Sequence, residues 1–298
     1  MFDGSITALI TPMRAGGALD EEALLRLVDW QIGQGTSAIV PTGTTGESPT
    51  LTHAEHCRVI DLVVTASGGR VKILAGTGSN STAEAIETTR HARQAGADAA
   101  LIVTPYYNKP TQEGLYRHYM AIADAVDLPI VIYNIPARSA VDMSVATMAR
   151  LSRHPNVIGV KDSTTDLMRP LQIRAAAGPG FVQLSGEDGT ALAFMASGGV
   201  GCISVTANVA PRLCAEMHIA WRSGDLAGAM AIQDRLLPLH EAMFVESNPA
   251  PAKYGLSLLG LATDTARLPM VALSEASRLR VREAMQVLGL LDHGASDG

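Results

Sequence analysis

Asn156-Val-Ile-Gly-Val-Lys161 is a short apolar run that ends in a lysine, and an upstream run, Leu128-Pro-Ile-Val-Ile-Tyr133, ends in a tyrosine. An ammonium group at the end of a buried strand loses hydration, which favours the neutral amine that attacks a carbonyl carbon. A tyrosine at the end of the preceding strand can transfer the protons that such chemistry requires. The alternative is a lysine whose ammonium reaches solvent at the strand end.

Similar apolar runs recur along the chain at intervals of roughly 25–30 residues, the length of one strand-plus-helix unit. The runs are 6–10, 37–40, 71–75, 99–103, 129–133, 157–161, 181–184 and 201–205. They are continuous rather than alternating, which is typical of strands buried on both faces of a parallel sheet. Eight units predict a (β/α)8 TIM barrel over 1–224, followed by a C-terminal helical region over 225–298. An open doubly wound sheet is disfavoured because no Gly-x-Gly-x-x-Gly follows the first run.

Helix starts are marked by polar residues ahead of the amphipathic stretches. Thr52-His-Ala-Glu55 and Ser81-Thr-Ala-Glu84 each fit a capping box, with a hydroxyl at the cap and a glutamate three residues later. The C-terminal region is predicted to form helices over 226–244, 251–261 and 274–290.

The composition excludes several classes of protein. The chain has 298 residues, a net charge of −6 and 4% aromatic residues, and it lacks basic runs, so nucleic-acid binding is not expected. Three cysteines follow no pairing or metal-binding spacing, which is typical of reduced thiols in the cytoplasm. The N-terminus has no signal-peptide pattern, and no apolar stretch is long enough to span a bilayer. We therefore expect a cytoplasmic protein without a membrane partner.

Candidate binding residues follow several of the predicted strands, and the barrel would bring these strand ends together on one face. The Gly43-Thr-Thr-Gly46 loop offers backbone N–H groups and hydroxyls to an anion. Arg138 offers a planar fork to a carboxylate. Each feature alone has an ordinary alternative: a tight turn, a surface arginine, or rim packing for Tyr106-Tyr107. Their coincidence at successive strand ends indicates one catalytic pocket.

A metal site is not expected. His53 and His56 are three residues apart and could share one helix face, but they lie at a helix start. No predicted strand end carries a histidine that would complete a catalytic set.

The motifs Gly43-Thr-Thr-Gly-Glu47, Val103-Thr-Pro-Tyr-Tyr107, Tyr133-Asn-Ile-Pro136 with Arg138, and Lys161 resemble the dihydrodipicolinate synthase/N-acetylneuraminate lyase family. The resemblance extends over essentially the whole chain, including Phe244-Val-Glu-Ser-Asn-Pro249 and Leu268-Pro-Met270 in the C-terminal region.

The resemblance implies a lyase that condenses pyruvate with L-aspartate 4-semialdehyde in lysine and diaminopimelate biosynthesis. Lys161 would form an imine with pyruvate, so no separate cofactor would be required. The resemblance implies these further roles: Tyr133 as proton shuttle, linked through Thr44 to Tyr107 of a neighbouring subunit; Thr45 for the pyruvate carboxylate; Arg138 for the semialdehyde carboxylate; and Gly186 and Ile203 for backbone contacts. The shared Tyr107 implies a homo-oligomer, in this family usually a homotetramer built as a dimer of dimers.

Arg138 favours a second substrate that carries a carboxylate, because sugar-acid and sialate lyases generally lack this arginine. Two departures are present. Arg138-Ser-Ala140 replaces the frequent Arg-Thr-Gly, and Lys161-Asp-Ser-Thr-Thr165 replaces the commoner glutamate and glycine after the lysine. Three alternatives remain at this stage. The first is a 2-keto-3-deoxy acid or sialate aldolase, or a hydratase-aldolase, that uses the same imine; the second is a catalytically silent sensor of keto acids or amino acids; the third is a divalent-metal aldolase.

The resemblance also implies a regulatory site for L-lysine. The matching positions are Ser48, His53, His56, Asn80, Glu84 and Tyr106. The alternative is that Glu84 serves only the capping box and that the histidines are solvated helix positions. Pro49 stands where feedback-sensitive members often carry alanine, and its ring could reshape the loop.

Overall fold

Eight parallel strands form a closed barrel in the computed structural model, which describes residues 2–291. The strands follow one another around the barrel in chain order, and β8 pairs with β1 to close it. They are β1 Gly4–Ala8, β2 Ala38–Val40, β3 Lys72–Gly76, β4 Ala99–Val103, β5 Ile130–Asn134, β6 Val157–Asp162, β7 Val182–Ser185 and β8 Gly201–Ser204. The predicted barrel is confirmed, and each predicted run overlaps one strand. Closure leaves no strand edge unpaired.

Helices surround the barrel and continue beyond it. They are α1 Glu21–Gly33, α2 His53–Ser67, α3 Thr82–Ala95, α4 Gln112–Ala125, α5 Pro136–Ser139, α6 Val145–Leu151, α7 Arg169–Ala177, α8 Ala191–Ala196, α9 Pro211–Arg222, α10 Leu226–Ala242, α11 Ala250–Leu258 and α12 Glu275–Val287. Short 3-10 helices occur at Ser48–Thr50 and Thr206–Asn208.

The three helices predicted for the C-terminal region are present as α10, α11 and α12. The boundary predicted at residue 224 falls in the turn between α9 and α10, where Gly224 has a φ of +82°. Residues 292–298 of the predicted helical region lie outside the described residues. Within 2–291, no helix is both long and apolar enough to cross a bilayer.

The capping box predicted at Thr52–Glu55 is confirmed, whereas the one predicted at Ser81–Glu84 forms only one of its two hydrogen bonds. Thr52 and Glu55 exchange side-chain and backbone hydrogen bonds at the start of α2. At α3, the Ser81 side chain accepts the bond from Glu84 N, but the Glu84 carboxylate turns to the Ser79 hydroxyl at 2.7 Å. The Ser81 N–H also bonds to Ser79 Oγ, so the nearby hydroxyl replaces the glutamate as its partner.

Apolar packing on both faces of the strands explains why their sequences are continuous apolar runs. Ile6, Leu74 and Ile203 are fully buried in a cluster inside the barrel. Ile39 and Ile102 face outward and belong to the larger cluster between strands and helices. Each such side chain contributes about 1.5–3 kcal/mol of burial free energy. This packing fixes the strand ends that carry the candidate site.

Candidate active site

Lys161 and Tyr133 lie side by side near the carboxyl ends of neighbouring strands. The register pairs Tyr133 of β5 with Lys161 of β6, and Lys161 Nζ lies 4.1 Å from the centroid of the Tyr133 ring. Each residue is only 6% exposed. A shielded amine beside a phenol has the components for nucleophilic attack on a carbonyl with local proton transfer.

Gly186 follows β7 and lies against the Lys161 side chain. A Cβ at position 186 would lie 2.9 Å from Lys161 Cε and 1.9 Å from Ser163 Oγ. The space beside the amine-bearing carbon therefore exists because residue 186 has no side chain. Ser163 Oγ is buried and has no hydrogen-bond partner within residues 2–291, so it has hydrogen-bonding capacity available near the lysine.

The wall formed by β8 contains Ile203, which is fully buried and pairs in register with Ile6 of β1. The chain just beyond Ile203 is held by the Asp188 carboxylate. This group accepts hydrogen bonds from Val205 N at 2.9 Å and Thr206 N at 3.1 Å. The buried carboxylate thereby fixes the backbone at the carboxyl end of β8.

Glu187 is a half-buried acid that interacts electrostatically with Lys161. Burial raises the pKa of its carboxyl above the ordinary value, and the negative charge of Asp188 raises it further. The positive charge of Lys161 lowers the same pKa and so opposes both effects. Its Oε1 accepts a long bond of 3.3 Å from Gly189 N. Glu187 is not among the residues assigned a role from the sequence; the structure identifies it as an acid that interacts with the Lys161 amine.

The loop after β2 carries Thr44 and Thr45. Thr45 is buried and Thr44 is partly exposed. Thr45 Oγ1 accepts a hydrogen bond of 2.9 Å from Nδ2 of Asn248, a residue more than two hundred positions later in the chain. The loop ends at Glu47, a buried carboxylate that forms an ion pair with Lys253 of α11.

Lys253 is the most deeply buried lysine of the described residues, with no exposed surface. Burial lowers the pKa of its ammonium, and the Glu47 carboxylate opposes this shift. An ammonium in such a position requires a partner of opposite charge. Sequence reasoning missed both Lys253 and Asn248 because their partners lie in a loop distant along the chain.

Arg138 and Tyr107 lie at the exposed rim. Arg138 is in the single-turn helix α5 and is exposed, and its guanidinium makes no hydrogen bond or ion pair within residues 2–291. The following Ser139 is buried and bonds to the backbone oxygens of Ile135 and Val141 at 2.9 Å. These bonds anchor the segment while leaving the guanidinium available to an incoming carboxylate.

Tyr107 is 90% exposed and has a φ of +70°. A left-handed backbone is unusual for an aromatic residue and indicates a local constraint. No hydrogen bond joins Thr44, Tyr107 and Tyr133 within the described chain. The predicted link through Thr44 stays a prediction.

A separate cavity of about 170 Å³ lies between the start of α2, α3 and the loop after β4. It contains five of the six residues matched to the regulatory site: Ser48, His53, His56, Glu84 and Tyr106. The sixth, Asn80, does not line the cavity but donates to the Tyr106 carbonyl oxygen at 3.3 Å. The structure thus brings these positions together.

The cavity has an asymmetric charge distribution. Burial lowers the pKa of His56, the Gly76 carbonyl bonded to its Nε2 at 2.8 Å opposes this, and nearby histidines reinforce the lowering. Glu84 is exposed and accepts from Ser79 Oγ. A carboxylate among hydroxyls and a half-buried imidazole suits a cationic ligand that also carries hydrogen-bonding groups.

The closed barrel, with its candidate residues at the carboxyl ends of the strands, defines the class of this protein as a (β/α)8-barrel enzyme. The model of the dihydrodipicolinate synthetase family matches residues 1–288, and the chain belongs to that family. A relative from Acidiphilium cryptum (strain JF-5), named 4-hydroxy-tetrahydrodipicolinate synthase, is 63% identical over 291 residues, covering 98% of this chain and all of the relative.

Two solved structures are similar over nearly their full lengths. Dihydrodipicolinate synthase from Acinetobacter baumannii, chloride-inhibited and in complex with pyruvate, has a TM-score of 0.95 and 46% identity, covering 98% of this chain and 100% of that one. The synthase from Cyanidioschyzon merolae with lysine bound has a TM-score of 0.94 and 38% identity, covering 97% and 99%.

Proposed function

We propose that this chain condenses pyruvate with L-aspartate 4-semialdehyde to give 4-hydroxy-tetrahydrodipicolinate, in lysine and diaminopimelate biosynthesis. The observation that carries the proposal is the shielded Lys161 amine beside the Tyr133 ring, 4.1 Å from Nζ to the ring centroid. The 63% identical relative that bears the corresponding name supports it over the full length of the chain.

The first half of the reaction activates pyruvate. Lys161 Nζ attacks the ketone carbon, the tetrahedral adduct loses water, and the resulting imine gives up a methyl proton to become an enamine. Tyr133 is adjacent to Nζ and is the group we assign to these proton transfers. The lysine nitrogen itself acts as the electron sink, so the mechanism requires neither a metal nor an organic cofactor.

The second half forms the carbon–carbon bond and releases the enzyme. The enamine carbon attacks the aldehyde carbon of the semialdehyde, and the aldehyde oxygen takes up a proton. The amine of the semialdehyde then attacks the imine carbon and expels the Lys161 amine as the ring closes. Thr45 is assigned to the pyruvate carboxylate and Arg138 to the carboxylate of the semialdehyde, and the backbone at Gly186 and Ile203 completes the pocket.

Arg138 favours this reaction over cleavage of a sugar acid or sialate by the same imine chemistry. An exposed guanidinium that has no partner among residues 2–291 suits a small substrate with a carboxylate. A polyhydroxylated sugar substrate would gain less binding free energy from a planar guanidinium. The name of the full-length relative favours the same reaction.

The proposal includes a homotetramer built as a dimer of dimers. Tyr107 is 90% exposed, and its assigned role requires a second copy of the chain to bring it to a neighbouring pocket. Further exposed apolar side chains, on other elements, offer surface for contacts between copies; they are Met168, Leu171, Ile219, Met230 and Leu237. We also assign the enzyme to the cytoplasm, where Cys57, Cys202 and Cys214 would remain as the free thiols that the structure contains.

The cavity near α2 and α3 is proposed as an inhibitory site for L-lysine. Glu84 would hold a lysine amino group, and the hydroxyls and Tyr106 would hold its polar end. The similar synthase from Cyanidioschyzon merolae is known with lysine bound, which supports this choice of ligand. Binding there would be coupled to the active site through the loop that contains Thr44 and Ser48.

Turnover with a panel of aldehydes tests the substrate assignment. Pyruvate-dependent consumption of L-aspartate 4-semialdehyde would be measured beside N-acetylmannosamine and glyceraldehyde. The proposal requires a strong preference for the semialdehyde. Preference for either sugar aldehyde would refute it while leaving the imine chemistry in place.

A further inference from the structure

The loop assigned to the pyruvate carboxylate is attached to the C-terminal helical region by buried polar contacts. Lys253 of α11 has no exposed surface, and its Nζ contacts the Glu47 carboxylate and donates to the Thr265 carbonyl oxygen at 2.7 Å. Glu47 is 3% exposed and closes the Gly43-Thr-Thr-Gly-Glu47 loop. Because both groups are buried, separating them would leave an unpaired charge in the interior, so the ion pair disfavours movement of the loop.

The backbone at Glu47 reinforces this constraint. Its φ is +57°, in the left-handed region that non-glycine residues adopt only when their surroundings hold them there. Its second carboxylate oxygen accepts a hydrogen bond of 3.0 Å from Arg267 N. Both partners of the carboxylate therefore come from the C-terminal region.

A further contact from the C-terminal region holds Thr45, the residue assigned to the pyruvate carboxylate. Asn248 Nδ2 donates to Thr45 Oγ1 at 2.9 Å, and both residues are buried. A threonine hydroxyl has one hydrogen. Since Oγ1 accepts from Asn248, its own hydrogen is left free to donate to a ligand carboxylate.

We propose that the Lys253–Glu47 ion pair and the Asn248–Thr45 hydrogen bond are positioning contacts through which the C-terminal helical region prepares the loop for the carboxylate of pyruvate. None of these contacts reaches the reacting carbon. They act through the loop, so their loss weakens pyruvate binding more than it slows the chemistry or weakens semialdehyde binding. The inference rests on the proposed function and adds a role for the region outside the barrel.

The test is a double variant, Glu47→Gln with Lys253→Met, which removes both buried charges together and avoids leaving one unpaired. The matched control is Asp3→Asn with Arg222→Met, which removes an ion pair 2.9 Å long that lies beside the amino end of β1, at the opposite end of the barrel from the loop. Imine formation would be followed by borohydride trapping across a range of pyruvate concentrations, and steady-state turnover would give separate KM values for the two substrates.

We expect the Glu47→Gln/Lys253→Met variant to need about tenfold more pyruvate for half-maximal trapping, with kcat and the semialdehyde KM changed by less than about threefold. The control variant should leave all three values unchanged. A merely structural role would lower the thermal midpoint without separating the two KM values. An unchanged pyruvate requirement in the folded variant would overturn the inference.

Asn248→Ala is a second variant that removes no charge and keeps the proposal testable if the double variant fails to fold. It should also raise the pyruvate requirement selectively, and equal effects on both substrates would contradict the proposal. Absence of pyruvate trapping in the unmodified enzyme would overturn the proposed function and this inference with it. Trapping in the unmodified enzyme, with an unaltered pyruvate requirement in either folded variant, would overturn the inference alone.

Discussion

Tyr133 and Lys161 are register partners on adjacent strands, and Lys161 Nζ lies 4.1 Å from the centroid of the Tyr133 ring. Parallel pairing places their side chains on the same face of the sheet, and barrel closure turns that face inward. The phenol is thus fixed beside the amine by the fold itself. The proposed imine chemistry depends on this pair, and the proposed substrate specificity depends on the residues assigned to the two substrate carboxylates.

Arg138→Ala should raise the KM for the semialdehyde by about tenfold or more and the KM for pyruvate by much less, because the proposed mechanism assigns the guanidinium only to the carboxylate of the semialdehyde. Steady-state kinetics with each substrate varied in turn would measure this. Arg26→Ala is a suitable control, since Arg26 is an exposed residue of α1 outside the described site. Equal increases for both substrates would refute the role assigned to Arg138.

Gly186→Ala should abolish detectable imine trapping. The added methyl group would overlap Ser163 Oγ and crowd Lys161 Cε, so the amine would have to leave its position. Gly180→Ala is the matched control, because a Cβ at position 180 meets no atom within 4 Å. Normal trapping in folded Gly186→Ala would show that this glycine is not needed for lysine placement.

The fold was predictable because its signals are local. Continuous apolar runs indicated the eight strands, and strand order placed Tyr133 and Lys161 at the same face. Glu84 shows where local reasoning fails, since its spacing from Ser81 fits a capping box but the Ser79 hydroxyl competes for its carboxylate. Lys253 and Asn248 could not be assigned from sequence, because nothing near them indicates that their partners are Glu47 and Thr45.

His118 should make the protein less stable in mild acid. Burial lowers the pKa of its imidazole from 6.5 to about 4. The folded chain therefore keeps it neutral while the unfolded chain takes up a proton below pH 6.5. The free energy of unfolding should fall as the pH drops from 6.5 towards 4, with this residue accounting for about 2 kcal/mol by pH 5.

Urea unfolding of the unmodified protein and of His118→Asn, each at pH 7 and pH 5, measures this contribution. The loss of stability between the two pH values should be about 2 kcal/mol smaller in the variant. His218, whose pKa burial also lowers to about 4, remains in both proteins and cancels in the comparison. An identical loss in both proteins would contradict the assignment.

Glu84→Gln should raise the L-lysine concentration for half-inhibition by at least about tenfold, because the proposed site loses its carboxylate for a lysine amino group. Inhibition would be titrated with L-lysine at fixed substrate concentrations. Glu87→Gln is the matched control, since Glu87 is an exposed acid of the same helix that does not line the cavity. Lysine inhibition that is equally strong in Glu84→Gln would exclude this cavity as the site.

The central claim is tested most directly by reduction with borohydride in the presence of pyruvate, followed by peptide mass analysis. The chain has four lysines, Lys72, Lys109, Lys161 and Lys253, so the modified residue can be assigned without ambiguity. We predict one pyruvate-derived adduct per chain on Lys161, and loss of both the adduct and nearly all turnover in Lys161→Ala. Turnover that persists in Lys161→Ala, or an adduct on another lysine, would contradict the proposed mechanism.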